Sequence, residues 1–133
     1  MAPVSLVRSD QLDDAVPYAY AALVAQGSIV FTAGACPLDE TGEVVAPGDF
    51  TAQATRVMAN LLVALRASGA ELTDVAKSTV YVASSRREDL VAVWDVVRAA
   101  FGDHDAPSTL LGVALLGYPG QLVEVEAVAS LSS

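Results

Sequence analysis

Glu124 and Glu126 stand two residues apart in Leu122-Val-Glu-Val-Glu-Ala. On an extended chain both carboxylates therefore face the same side. A carboxylate on such a wall can orient or activate water, while neighbouring hydroxyls and amides stabilise a developing tetrahedral centre. Ser108 and Thr109 supply hydroxyls within the same stretch, Asp103 to Ala127. That stretch holds no lysine or arginine, and neither does anything after Arg98. A site wall built from it offers carboxylate, hydroxyl and amide chemistry but no fixed cation. The plain alternative for Glu124 is a solvated strand carboxylate, and for Glu126 a structural or intersubunit charge.

The remaining candidates divide in the same way. His104 is the single histidine, flanked by Asp103 and Asp105. It can titrate near neutrality and stand in for a missing cation, or it can be an idle loop residue. Cys36, the single cysteine, is either a reactive thiol or a small buried hydrophobe, and nothing nearby in sequence would lower its pKa. Trp94 lies at helical core spacing from Leu90 and Phe101, so it either packs in the core or stacks on a flat substrate. Tyr18 is an edge-of-core ring or a cleft wall with a hydroxyl to offer. Tyr20 and Tyr118 read as ordinary amphipathic surface or interface residues. One histidine and one cysteine do not make a metal site, and no metal or cofactor is expected.

These residues need elements to hold them. After a polar arm through Asp14, residues 18–24 read as a strand, followed by a turn at Gln26-Gly27-Ser28. A second strand, residues 29–33, ends at Gly34. Residues 36–49 are loop, with room for a short strand at 43–45. Phe50, Ala54, Val57, Leu61 and Leu65 then repeat at helical spacing, with Asp49 placed to cap the start and Gly69 to end the helix. Residues 75–83 have strand composition. Ser85-Arg-Arg-Glu88 reads as a capping box before a second helix through Leu90, Val93, Trp94, Val97 and Phe101 to Gly102. Residues 109–115 and 122–131 are the last strands, joined through Gly117-Tyr-Pro-Gly120. The order is β-β-α-β-α-β-β, which implies crossovers onto a shared sheet with both helices on one face. Val123, Val125, Ala127 and Ala129 suit the face under the helices; Leu122, Glu124, Glu126 and Val128 point the other way.

Bulk properties narrow the partners. The 133 residues suit a single domain, 53% hydrophobic and 17% charged, with a formal charge of −9. That charge disfavours binding to nucleic acid or to anionic membranes. No apolar run reaches the ~20 residues of a membrane helix. The mean hydropathy of +0.47 therefore points to apolar surface buried between subunits. Without a signal-like start or paired cysteines, a reducing cytoplasm is the expected compartment.

Several segments together carry a resemblance. They are Pro17-Tyr18; Val30-Phe-Thr-Ala-Gly34; Pro37-Leu-Asp39 with Thr41-Gly-Glu43; and Gly48-Asp49 with Gln53-Ala54 and Asn60-Leu61. Val75-Ala-Lys-Ser-Thr-Val-Tyr-Val82 and the Leu122–Ala127 segment complete the set. In this order and spacing they resemble the Rid family (reactive intermediate deaminases, also called YjgF-like or L-PSP endoribonuclease-like) over nearly the whole chain. The resemblance implies a chorismate-mutase-like α+β fold, a mixed sheet with two helices on one face. It further implies a homotrimer with clefts between adjacent subunits. In deaminating members an arginine binds the substrate carboxylate and a glutamate positions the water that hydrolyses an enamine or imine.

Carried over by position, Glu124 matches the water-positioning carboxylate, Tyr18 the early cleft tyrosine and Gly34 the cleft-loop glycine. Ser108 and Thr109 fall on the cleft wall. Three positions depart from the pattern: Pro107 replaces the arginine, Trp94 replaces a cleft asparagine, and Ala35 replaces a common glutamine. The hairpin around Tyr118 is about two residues longer. The expectation is a hydrolase of a small enamine, imine or related carbonyl compound, poorly suited to typical 2-imino acids. A non-catalytic small-molecule-binding or structural trimer is the alternative. A ribonuclease, suggested by the family's older name, conflicts with the charge.

Overall fold

The computed structural model describes residues 4–132. Its elements are β1 (Val4–Val7), β2 (Ala21–Val24), β3 (Ser28–Phe31), α1 (Phe50–Ala67), a 3-10 turn (Leu72–Asp74), β4 (Val75–Val82), α2 (Arg87–Phe101), β5 (Ser108–Gly112) and β6 (Val123–Leu131). β3, β6, β4 and β5 lie side by side in that order in one sheet, and β1 pairs with β2 in a second. β4 and β5 run parallel, joined through α2, while β6 runs antiparallel to both β3 and β4. This is the mixed α+β sheet with two helices on one face that the pattern predicts.

The core lies where the alternation of β6 puts it. Val123, Val125, Ala127 and Ala129 are buried, together with Val80 and Val82 of β4. They pack with Ala54, Val57, Leu61 and Leu65 of α1 and Val93 and Val97 of α2 in a single cluster. Asp49 caps α1 as its position suggests, accepting the Ala52 N–H at 3.0 Å. Gly69, at φ +87°, takes the chain out of the helix in the left-handed region that side chains avoid.

Four local expectations are corrected. The polar arm contains β1: Val4 is buried and the strand pairs along β2, hidden in sequence by its charged neighbours. β2 starts at Ala21 because the chain before it is tied elsewhere, the Ala19 N–H bonding the Asp105 carbonyl at 2.7 Å. The strand expected at 43–45 is a single bridge, Leu38 to Val44. β5 stops at Gly112 because its partner β4 stops at Val82, which leaves Leu115 77% exposed.

The capping box also fails. Arg86 holds the cap position of α2 without a side-chain bond, so Ser85 stands one residue too early. Ser84 serves instead, its Oγ accepting the Arg86 N–H and donating to Asp89 at 2.7 Å.

Candidate functional site: two half-clefts on opposite sheet edges

The first half-cleft forms where the chain leaves β3. A cavity of about 460 Å³ is lined by residues 30–36, among them Gly34 and Cys36, with Asn60 and Tyr118. Polar side chains of α1 fix this loop from below. Asn60 Nδ2 donates to the carbonyls of Cys36 and Leu38 at 2.8 and 2.9 Å, and Arg56 Nε donates to Leu38 at 2.9 Å. Glu124, on the helix-free face of β6, lies directly against this loop. A Cβ added at Gly34 would sit 2.1 Å from Glu124 Oε2, so only glycine leaves the carboxylate its place.

The carboxylate is held from one side. Glu124 Oε1 accepts from Gln121 Nε2 at 3.0 Å and from the Cys36 thiol at 3.5 Å. Oε2 has no hydrogen-bond partner among the described residues, and Glu124 lies behind the loop, not among the residues that line the cavity. Burial, then the negative charge of Glu124, pushes the Cys36 thiol up from its ordinary value. Both causes disfavour a thiolate at Cys36, whose single S–H lies 3.5 Å from the Gly34 carbonyl as well as from Glu124 Oε1. Gln121 is itself anchored, accepting the Tyr118 N–H at 3.1 Å and donating to the Val123 carbonyl. The buried Gln53 pins the same turn by donating to the Gly120 carbonyl at 3.1 Å and accepting the Leu122 N–H at 2.8 Å.

Gln121 was not among the sequence candidates. A lone glutamine in a turn carries no signal until the fold shows which side chain it meets. Glu126, read from the sequence as a structural or intersubunit charge, accepts the Tyr81 hydroxyl at 2.5 Å. That bond, followed by burial, holds the Tyr81 phenol above its usual pKa.

The second half-cleft lies at the other edge of the sheet. Tyr18, Trp94, Ser108, Thr109 and Leu110 line a cavity of about 390 Å³. Trp94 is half-buried, packing against the core and also lining this cavity. The Tyr18 ring meets that of Tyr20 edge-on at 6.0 Å. Ser108 Oγ is engaged, lying 2.5 Å from Ser78 Oγ and 3.1 Å from the Ala106 carbonyl. Pro107 gives only its carbonyl, which accepts the Ser78 N–H at 2.9 Å.

Thr109 instead faces the helix-free side, where its Oγ1 accepts from Lys77 Nζ at 2.6 Å. His104 points elsewhere, its Nε2 donating to the Val75 carbonyl at 2.8 Å beside the Phe101 ring. It lines a small crevice with Trp94 and Ser108 but not the larger cavity.

The structure thus gathers Glu124, Gly34 and Cys36 at the β3 edge and Tyr18, Trp94, Ser108 and Thr109 at the β5 edge. The two cavities share no lining residue. Among the described residues no group of three or more His, Cys, Asp or Glu side chains is arranged to hold a metal ion. No helix among them is long and apolar enough to cross a membrane.

Residues 9–131 match the family model described as endoribonuclease L-PSP. The protein DfrA of Myxococcus xanthus is 34% identical over 125 residues, covering 92% of each chain. The 2-iminobutanoate/2-iminopropanoate deaminase of Escherichia coli K12 is 31% identical over 106 residues, covering 77% of this chain and 80% of its own. Among solved structures, the Rid-family protein of unknown function YyfB from Yersinia pestis superposes with a TM-score of 0.91 at 30% identity, over 97% of this chain and 99% of that one. The fold, the glutamate set against the cleft-loop glycine and these matches together place the chain in the Rid (YjgF/L-PSP) family, as a divergent member.

Proposed function

We propose that this protein is a hydrolytic deaminase of a small enamine or imine, with Glu124 positioning the attacking water. One observation carries the reading: a carboxylate fixed through Oε1 by Gln121 and Cys36, with Oε2 unengaged over Gly34. In the reaction, water adds to the C=N carbon as Glu124 accepts its proton. Glu124 returns that proton to the nitrogen to give the carbinolamine, then moves the carbinolamine's hydroxyl proton to the same nitrogen, so that the C–N bond breaks, ammonia leaves and the C–O bond becomes the carbonyl. The nearby backbone dipoles and the fixed carboxylate need little reorganisation as charge develops. The deaminase activity of the E. coli relative supports the reaction type.

The working site forms between subunits of a homotrimer. Two half-clefts on opposite edges of one sheet cannot meet within a chain, but a ring of head-to-tail contacts brings the β3 edge of each subunit to the β5 edge of the next. The helix-free face carries apolar surface suited to such contacts, with Phe31 75% and Leu111 42% exposed. The substrate is a small molecule, turned over in the cytoplasm without a cofactor. Because Pro107 offers no guanidinium fork, small 2-imino acids are turned over more slowly than by arginine-containing relatives. Trp94 gives the pocket an indole wall that accepts a larger flat or apolar group.

The test is Glu124→Gln, assayed on imines generated in situ from a range of amino acids. Turnover is expected to fall by ~10²–10⁴-fold, with the oligomer unchanged by light scattering. Unchanged turnover would remove Glu124 from the chemistry and overturn the reading, while a wild type no faster than the uncatalysed reaction would favour a non-catalytic binding or structural trimer. A ribonuclease reading finds no support in a chain of charge −9.

A further inference from the structure

Read as a sequence, the β5 segment lacks a cation. In the fold a neighbouring strand supplies one. Thr109 is in register with Thr79 of the parallel strand β4, so Lys77, two residues earlier on the same face, reaches it diagonally. The ammonium lands 2.6 Å from Thr109 Oγ1, on a residue that lines the Tyr18–Trp94 cavity.

The charge of Lys77 is not spent on a carboxylate. Arg8, Arg56, Arg66 and Arg86 each pair with an acidic side chain. Lys77 has no acidic partner within 4 Å among the described residues. The acidic residue closest to it in register, Glu126, pairs with Thr79 and gives its oxygen to Tyr81 instead. An ammonium has three N–H donors. One is used on Thr109, which leaves the others, and the Thr109 hydroxyl proton itself, for an incoming anion. Lys77 is half-buried along its length, while its contact with Thr109 is open to solvent and so reachable by a ligand.

We propose that Lys77 and Thr109 together form the anion anchor of the cleft, in place of the arginine that Pro107 displaces. The substrate of the hydrolysis proposed above therefore carries a carboxylate, held by a point charge and a hydroxyl. The assignment rests on that reading for the reaction but not for the binding. An ammonium grips a carboxylate less specifically than a guanidinium fork. The anchor therefore selects for charge while leaving the orientation of the remainder to the Trp94 wall.

The experiment measures binding, so it is independent of turnover. The full-length protein is titrated calorimetrically with 2-oxobutanoate, a carbonyl product of the proposed reaction class, and with its uncharged amide. Lys77→Met is expected to weaken the acid by about 10- to 100-fold and to leave the amide unchanged, while Lys77→Arg restores most of the loss. Equal weakening of acid and amide would mean that Lys77 only supports the fold, and would overturn the proposal. Equal affinity of the wild type for both compounds, or binding of neither, would overturn it too. Selective loss of the acid supports the anchor even if the wild type turns over no imine.

Discussion

The two half-clefts are built on different principles. At the β3 edge the side chains are over-determined: Gly34 leaves room for the carboxylate, Gln121 and Cys36 hold it, and Gln53 and Asn60 hold the loops that carry them. At the β5 edge an indole, a phenol and hydroxyls surround a cavity, with Ser108 tied to Ser78 and the Ala106 carbonyl and Thr109 to Lys77. The first region suits a reaction whose transition state demands fixed geometry. The second suits recognition, where a changed side chain changes the ligand without disturbing the chemistry. The departures from the family pattern fall at both edges, Pro107 and Trp94 at β5 and Ala35 with the longer Tyr118 hairpin at β3, whereas Glu124 and Gly34 keep their places.

The largest way to break the comparison after Glu124→Gln is Gly34→Ala. The backbone there does not need glycine, and the added methyl meets the end of the Glu124 side chain. The carboxylate can swing aside, so turnover should fall by ~10²-fold while the melting temperature moves by no more than ~2 °C. A large loss of stability without a change in kcat would show that the β3 edge is structural.

Trp94→Asn tests the other edge. It should reverse the preference between bulky and small imines by about 10-fold in kcat/KM, mostly through KM. A uniform fall in kcat for every substrate would instead place the indole in the chemistry.

The smallest effect is a titration. Cys36 should be alkylated by iodoacetamide with an apparent pKa above that of a free thiol, because burial and the Glu124 charge both favour the protonated form. Glu124→Gln removes one of these causes, so the apparent pKa should drop toward the ordinary range. No change on that substitution would mean that the thiol does not sense the carboxylate.

How much of this was legible beforehand depends on the range over which each feature is determined. Helix α1 was fully readable, since Asp49, the apolar spacing and Gly69 are local signals. The facing of Glu124 followed from the two-residue period of β6. Ser85 misled because a capping box is a pattern of spacing, and the competing Ser84 makes the bonds one residue away. β1 was missed because four strand residues beside a charged arm give a weak signal. His104 is a candidate by residue type alone, as the single histidine, yet its ring is tied to a backbone carbonyl.

The sequence by itself determined the element types, the buried face of the sheet, the glutamate on the opposite face and the lack of any cation after Arg98. All of these depend on composition or on periods of a few residues. Only the tertiary structure decided that Gln121 and Cys36 grip that glutamate, that the two half-clefts lie on opposite sheet edges, and that Lys77 stands at Thr109. Each of those depends on the order and register of strands distant in sequence, and no local period encodes which residue of one strand will lie beside which residue of the next.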